Sequence, residues 1–168
     1  MTPKKRPKSV SYKEGQWFAV PLQDGGFALG ILARANPKTK IALGYFFGRK
    51  FCNSPNIEAV RTFAPSDAIL VARFGDQGII DGKWPVLGSD DAFRRQDWSV
   101  PKFARIDLLN SERGILIEYD SEGEWTAQPI RETPCVASVL TGLPFDGMLG
   151  SVAMEAKLSH VLAGIQCS

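Results

Sequence analysis

The sequence predicts a mostly β (α+β) fold: an antiparallel, partly open SH3-like barrel or curved sheet with a C-terminal helix. Three observations carry this. Short apolar runs rich in aromatic and β-branched residues recur between residues 16 and 130, turns containing Gly, Pro, Asn or Asp separate them, and helical spacing is clear only near the C-terminus. Leu, Ile, Val and Phe supply 45 of the 168 residues, above the roughly one-fifth share below which chains stay disordered. The length suits one domain with a small appendage.

The elements follow in order. Residues 1–13 hold Lys4, Lys5, Arg6, Lys8 and Lys13 with Pro3 and Pro7 and no apolar run, which reads as a flexible basic arm. Residues 16–22 (QWFAVPL) and 27–34 (FALGILAR) flank Asp24-Gly25-Gly26 and form a hairpin. After the turn Asn36-Pro37-Lys38-Thr39 a third strand, 40–47 (KIALGYFF), contains Gly44, a position for close approach of another group. In 63–74 (FAPSDAILVARF), Ser66-Asp67 has helix-cap character, but Ile69, Leu70 and Val71 decide for a strand.

Residues 75–88 alternate turns with short apolar pieces around the bend Gly82-Lys83-Trp84-Pro85, and 90–102 form a charged surface excursion carrying Trp98. Strands are expected at 103–109, 114–119 and 125–130, divided by Asn110-Ser111 and Ser121-Glu122-Gly123. Residues 133–150, with Pro134, Gly142, Pro144 and Gly147, form a long loop or hold one helical turn near 136–140. Met154, Leu158, Val161, Leu162 and Ile165 then share one helical face, with Ser151 and Gly164 as caps, and this face packs on an open side of the sheet. The organisation is an arm (1–13), a β domain (14–132) and a C-terminal linker and helix (133–168).

The net charge of +2 conceals a polarity along the chain. Residues 1–60 carry ten basic and three acidic side chains, and residues 61–168 carry ten basic and fifteen acidic ones, a pointer to charged partners or tails. No run approaches the ~18 apolar residues of a membrane span and no secretory signal is visible, so the expected compartment is the cytoplasm. Cys52, Cys135 and Cys167 are odd in number and far apart, and read as three reduced thiols with neither a disulfide framework nor a zinc site.

Catalytic chemistry finds little support. His160, the sole histidine, lies in the predicted helix without a base–orienter partner and reads as a half-buried surface residue. No nucleophile-elbow, Walker-type, dinucleotide or zinc-protease motif occurs. Asp90, Asp91, Asp97 and Asp107 are candidates for an acid–base pair, but adjacent residues on a strand point to opposite faces, so they read as solvated or turn-forming groups. No cofactor, metal or catalytic residue is assigned, and the protein is read as a non-enzyme.

Binding features are stronger. Six carboxylates between Asp107 and Glu124 face a lone Arg113, and Trp125 follows at once. An acidic surface with an aromatic anchor suits a positively charged protein site, whereas the structural reading of Glu118 and Asp120 is the protected outer side of an edge strand. Arg94, Arg95 and Trp98 form a second cluster of residue types enriched in interface hot spots.

Two motifs resemble a known family. The first is K-x-G-Q-W-F-A-V-P-L-x-D-G-G-F-A-L-G-I-L from residue 13. The second is Gly75-Asp76-Gln77-Gly78 followed by Gly82-Lys83-Trp84-Pro85-Val86-Leu87-Gly88 and then Phe93-Arg94-Arg95. Together they resemble the immunity protein 26 family of bacterial polymorphic toxin systems over residues 12–130. The resemblance implies a mostly β protein that protects its cell by binding a cognate protein toxin, with no catalytic residues carried over. Trp84, Pro85 and Gly88 match its motif and read as a buried Trp, a rigid bend and a position needing glycine. Arg95, Trp98, Glu118, Asp120, Glu122 and Trp125 are the expected partner-binding residues. The rival reading is a nucleic-acid-binding small β-barrel, using the basic N-terminal region and contacting phosphates through Lys4, Lys5, Arg6 and Lys8.

Overall fold

A computed structural model describes residues 10–60 and 62–168. Lys4, Lys5, Arg6 and Lys8 of the basic arm lie outside the described residues. The end of that arm is docked: the Val10 amide donates to the Ile80 carbonyl at 3.1 Å, and the buried Tyr12 hydroxyl donates to Asp76 Oδ2 at 2.6 Å. Burial and the Asp76 carboxylate both push the Tyr12 hydroxyl's pKa well up.

The chain forms β1 (Gln16–Pro21), β2 (Phe27–Arg34), β3 (Ile41–Phe51), β4 (Ala68–Gly75), α1 (Gln77–Ile80), β5 (Val86–Ser89), β6 (Phe103–Ile106), β7 (Arg113–Tyr119), β8 (Pro129–Val136), β9 (Met148–Leu149) and α2 (Ser151–Val161). Among the described residues nine strands make two sheets, one ordered β5-β1-β2-β3-β4-β9 and one ordered β6-β7-β8. All pairings are antiparallel except β4 with β9. The larger sheet is open, because its edge strands β5 and β9 do not meet; of the two expected forms, the curved sheet is the one adopted.

The continuous apolar runs of β1–β3 have a direct cause: both faces of the larger sheet are buried. Phe18, Leu32 and Phe46 point to one side, where Phe74, Trp84 and Met154, Leu158 and Leu162 of the helix cover them. Trp17, Ile31 and Tyr45 point to the other side and meet Phe103, Ile117 and Tyr119 of the smaller sheet. The expected close approach at Gly44 is real: a Cβ there would stand 2.8 Å from the Phe74 ring.

Helix α2 packs on the open side as expected, but its face is narrower than the spacing implied. Val161 and Ile165 are exposed, and the chain leaves the helix at Leu162. Gly150, rather than Ser151, occupies the N-cap position.

Three further expectations are corrected. The strand expected at 103–109 ends at Ile106, where Asp107 begins a turn by accepting the Leu109 amide at 2.8 Å. The strand expected at 125–130 forms at Pro129–Val136 instead, because Trp125 and Ala127 turn into the core before the chain joins β7. It runs across residue 132, and the expected helical turn follows it at Ala137–Leu140. Finally, Cys52 and Cys167 form a disulfide with Cα atoms 4.9 Å apart, leaving Cys135 as the free thiol. The chain end returns to β3, where the Ser168 amide donates to the Lys50 carbonyl and the Cys52 amide to the Ser168 carbonyl, so a sequence separation of 115 becomes a spatial contact.

Candidate partner-binding surface

The two clusters singled out in the sequence meet at one end of the smaller sheet. Arg95 sits on a 3-10 turn, Arg95–Asp97, in the 90–102 excursion. Its Nη1 donates to the Ser121 and Glu122 carbonyls at 3.1 and 2.7 Å, its Nη2 to the Gly123 carbonyl at 2.7 Å, and its Nε to Glu14 Oε2 at 2.9 Å. One guanidinium thus clamps the acidic turn onto the body through three backbone oxygens.

Arg34, which the sequence reading missed, works beneath it. It is buried at the end of β2 and donates to the carbonyls of Ala33, Trp98 and Ser121 at 2.6, 2.9 and 3.1 Å. Burial, together with the neighbouring Arg95 cation, lowers its pKa from the ordinary arginine value. Its position in an otherwise apolar strand, FALGILAR, was the available signal. Arg34, Arg95, Gln96, Ser99, Ser121 and Glu122 line a small polar cleft of about 300 Å³.

The acidic turn itself is ordered locally. Asp120 Oδ1 accepts the Glu122 and Gly123 amides at 2.9 and 3.1 Å, and these bonds hold its carboxyl below the usual carboxylate range. Glu122 and Glu124 project into solvent, with Glu124 accepting from Asn36 Nδ2 at 3.0 Å. Glu118 lies one strand position before the buried Tyr119 and pairs with Lys102 at 3.0 Å and Arg131 at 3.9 Å.

The two tryptophans stand apart from this surface. Trp98 is 6% exposed and Trp125 is 2% exposed. Trp98 stacks edge-on against Trp17 and Tyr45, and the Trp125 indole donates to the Ile41 carbonyl at 2.9 Å. Both hold the excursion and the turn from below. The candidate acidic pairs do not assemble: Asp90 and Asp107 each accept a nearby backbone amide in their own turn. His160 is exposed on α2. Among the described residues no three His, Cys, Asp or Glu side chains converge as a metal-holding group, and no helix is long and apolar enough to cross a membrane.

The second motif proves to be a packing device. The Trp84 ring is fully buried, stacks on Phe18 at 6.0 Å, and its indole donates to Glu155 Oε1 on α2 at 2.8 Å. Gly78 lies under that ring so closely that a Cβ would come within 2.5 Å of it. Asp76 of the same motif anchors Tyr12.

Fold and surface together define the class: a three-layer β protein whose buried polar groups act as clasps and whose acidic residues Glu118, Asp120, Glu122 and Glu124 gather at one end of its outer sheet. Residues 13–115 match the family model described as Immunity protein 26. The chain therefore belongs to the immunity protein 26 family, whose function is toxin-neutralising immunity. No curated protein and no solved structure matches it.

Proposed function

We propose that this protein acts in the cytoplasm as a stoichiometric inhibitor, neutralising a cognate toxin of a polymorphic or contact-dependent system by direct binding rather than by catalysis. The toxin seats on the acidic end of the smaller sheet, where Glu118, Asp120 and Glu122 contact it, Glu124 extends the acidic rim, and Arg95 fixes the turn. The clamp of Arg95 on three carbonyls of residues 121–123 is the observation that supports this most. A turn already fixed in the free protein gives up little conformational entropy on binding, and its negative charge steers a basic partner. Trp98 and Trp125, first expected as contacts, serve as supports.

Protection at low toxin copy number requires Kd values of roughly nanomolar or below, about −12 kcal/mol. The test is the double variant Glu122→Lys/Glu124→Lys, titrated against the toxin encoded beside this gene. Like-charge contacts cost several kcal/mol, so affinity falls at least about tenfold and protection on co-expression is lost, whereas Lys157→Glu on α2 changes neither. Unchanged affinity in the double variant removes the toxin from this surface. Retention of RNA or DNA at low salt, lost at high salt and without a protein partner, would instead favour the nucleic-acid reading.

A further inference from the structure

The opposite end of the smaller sheet has a different chemistry. Strand register places Arg105, Ile115 and Pro134 in one row across β6, β7 and β8, two residues from the row of Phe103, Ile117 and Glu132. Rows two residues apart share a face. Phe103 and Ile117 are fully buried against the larger sheet, but Ile115 is only partly covered and Pro134 is exposed. The smaller sheet thus overhangs its partner, and the overhang lines a predominantly apolar groove of about 770 Å³ that includes Ile106, Ile115, Pro134 and Val136.

At the rim of the groove, with Leu108 in its lining, stands an apolar knob. Leu108 and Leu109 are 99% and 98% exposed at the tip between β6 and β7. The tip is an ordered hairpin: the Asp107 amide donates to the Arg113 carbonyl, the Arg113 amide to the Asn110 carbonyl, and the Glu112 amide to Asn110 Oδ1. Two adjacent leucines held fully in water on such a turn are unusual, since contiguous exposed apolar area marks an interaction site. Asp107, Glu112 and Arg113 flank the leucines, and none of the three forms an ion pair among the described residues.

We infer that this end is a self-association face, occupied by a second copy of the chain. A two-fold interface requires one patch to complement itself, so that residue i meets residue j and j meets i. Knob, groove, and carboxylates and a guanidinium without an ion pair among the described residues meet that requirement on one patch. Leu108 and Leu109 of each copy enter the other's groove, and Asp107 and Glu112 face the other copy's Arg113. The seven residues of β7 separate this end from the acidic turn by roughly 20 Å at ~3.3 Å per residue, so a dimer keeps both acidic ends open. The inference stands independently of the toxin-binding reading.

The test uses the full chain in sedimentation equilibrium from about 1 to 100 μM, with thermal unfolding of each variant alongside. The wild type sediments as a dimer within this range. Leu108→Ser/Leu109→Ser sediments as a monomer with an unchanged Tm, because the fold buries neither side chain. A monomeric wild type at 100 μM overturns the inference, as does a variant that remains dimeric. If the wild type is monomeric and the variant loses toxin affinity, the patch is the toxin's site.

Discussion

Asp146 accepts hydrogen bonds from Tyr119 Oη at 2.6 Å, Arg73 Nη1 at 2.8 Å and Arg105 Nη2 at 2.7 Å, and these join β4, β6 and β7 to the loop before β9. Arg73 also hydrogen-bonds the Tyr119 hydroxyl and lies over its ring with 4.5 Å to the centroid. Burial alone would raise the Asp146 pKa, but the three donors and the Arg73 charge outweigh it and leave the carboxyl below the usual range. A carboxylate whose pKa is lower folded than unfolded contributes stability above the unfolded value of about 3.9, and that contribution is lost as pH falls through the folded value. Asp146→Asn should therefore be less stable than wild type at neutral pH, with the difference shrinking below about pH 4 in urea unfolding. Asp146→Ala, which leaves Arg73 buried without its partner, should cost about 3–5 kcal/mol at pH 7. None of this is legible in the sequence: Asp146 falls in a stretch of loop composition, and Arg73 in a strand whose signal is its apolar residues.

At the scale of elements, β1, β2 and β3 were legible because their turns and apolar runs are local signals. Helix α2 was legible through Met154, Leu158 and Leu162, whose spacing of four matches the buried face. Leu158→Ala should destabilise by about 2–5 kcal/mol in denaturant titration, by lost burial and the cavity left in the core cluster it shares with Trp84 and Phe74. His160→Ala on the exposed face should stay within about 0.5 kcal/mol. Strand β8 was misplaced by four residues because Trp125 and Ala127 have the composition of a strand but are used as core plugs, a choice set by the neighbouring β3 and β7. The tip leucines were assigned to a strand for the same kind of reason: apolar composition does not show whether a partner strand reaches that far.

Across the whole molecule, the Cys52–Cys167 bond ties the last residues to the end of β3. Closing a loop of this length removes much unfolded-state entropy, and loss of such a native bond generally costs 2–5 kcal/mol. Adding reductant to the oxidised protein should lower Tm by roughly 5–15 °C, with no further effect in Cys167→Ser. In a reducing cytoplasm the pair is held as thiols, and the chain end then rests on its backbone bonds to Lys50 and Cys52. Of the expected partner residues, Arg95, Glu118, Asp120 and Glu122 occupy the acidic end of the outer sheet, while Trp98 and Trp125 are drawn inward. Composition identifies aromatic residues that bind something; it does not say whether that something is the protein's own core.

The sequence by itself determined the β-rich class, the opening three-stranded meander, the C-terminal helix and the family, since periodicity, turn chemistry and short motifs are properties of neighbouring residues. Tertiary structure alone decided that the larger sheet stays open and is covered on both faces, that Arg95 clamps the 121–123 turn, that two distant cysteines meet, and that one sheet has an acidic end and an apolar end. Each of those depends on groups tens of residues apart reaching one place, which is set by the packing of whole layers rather than by neighbouring residues.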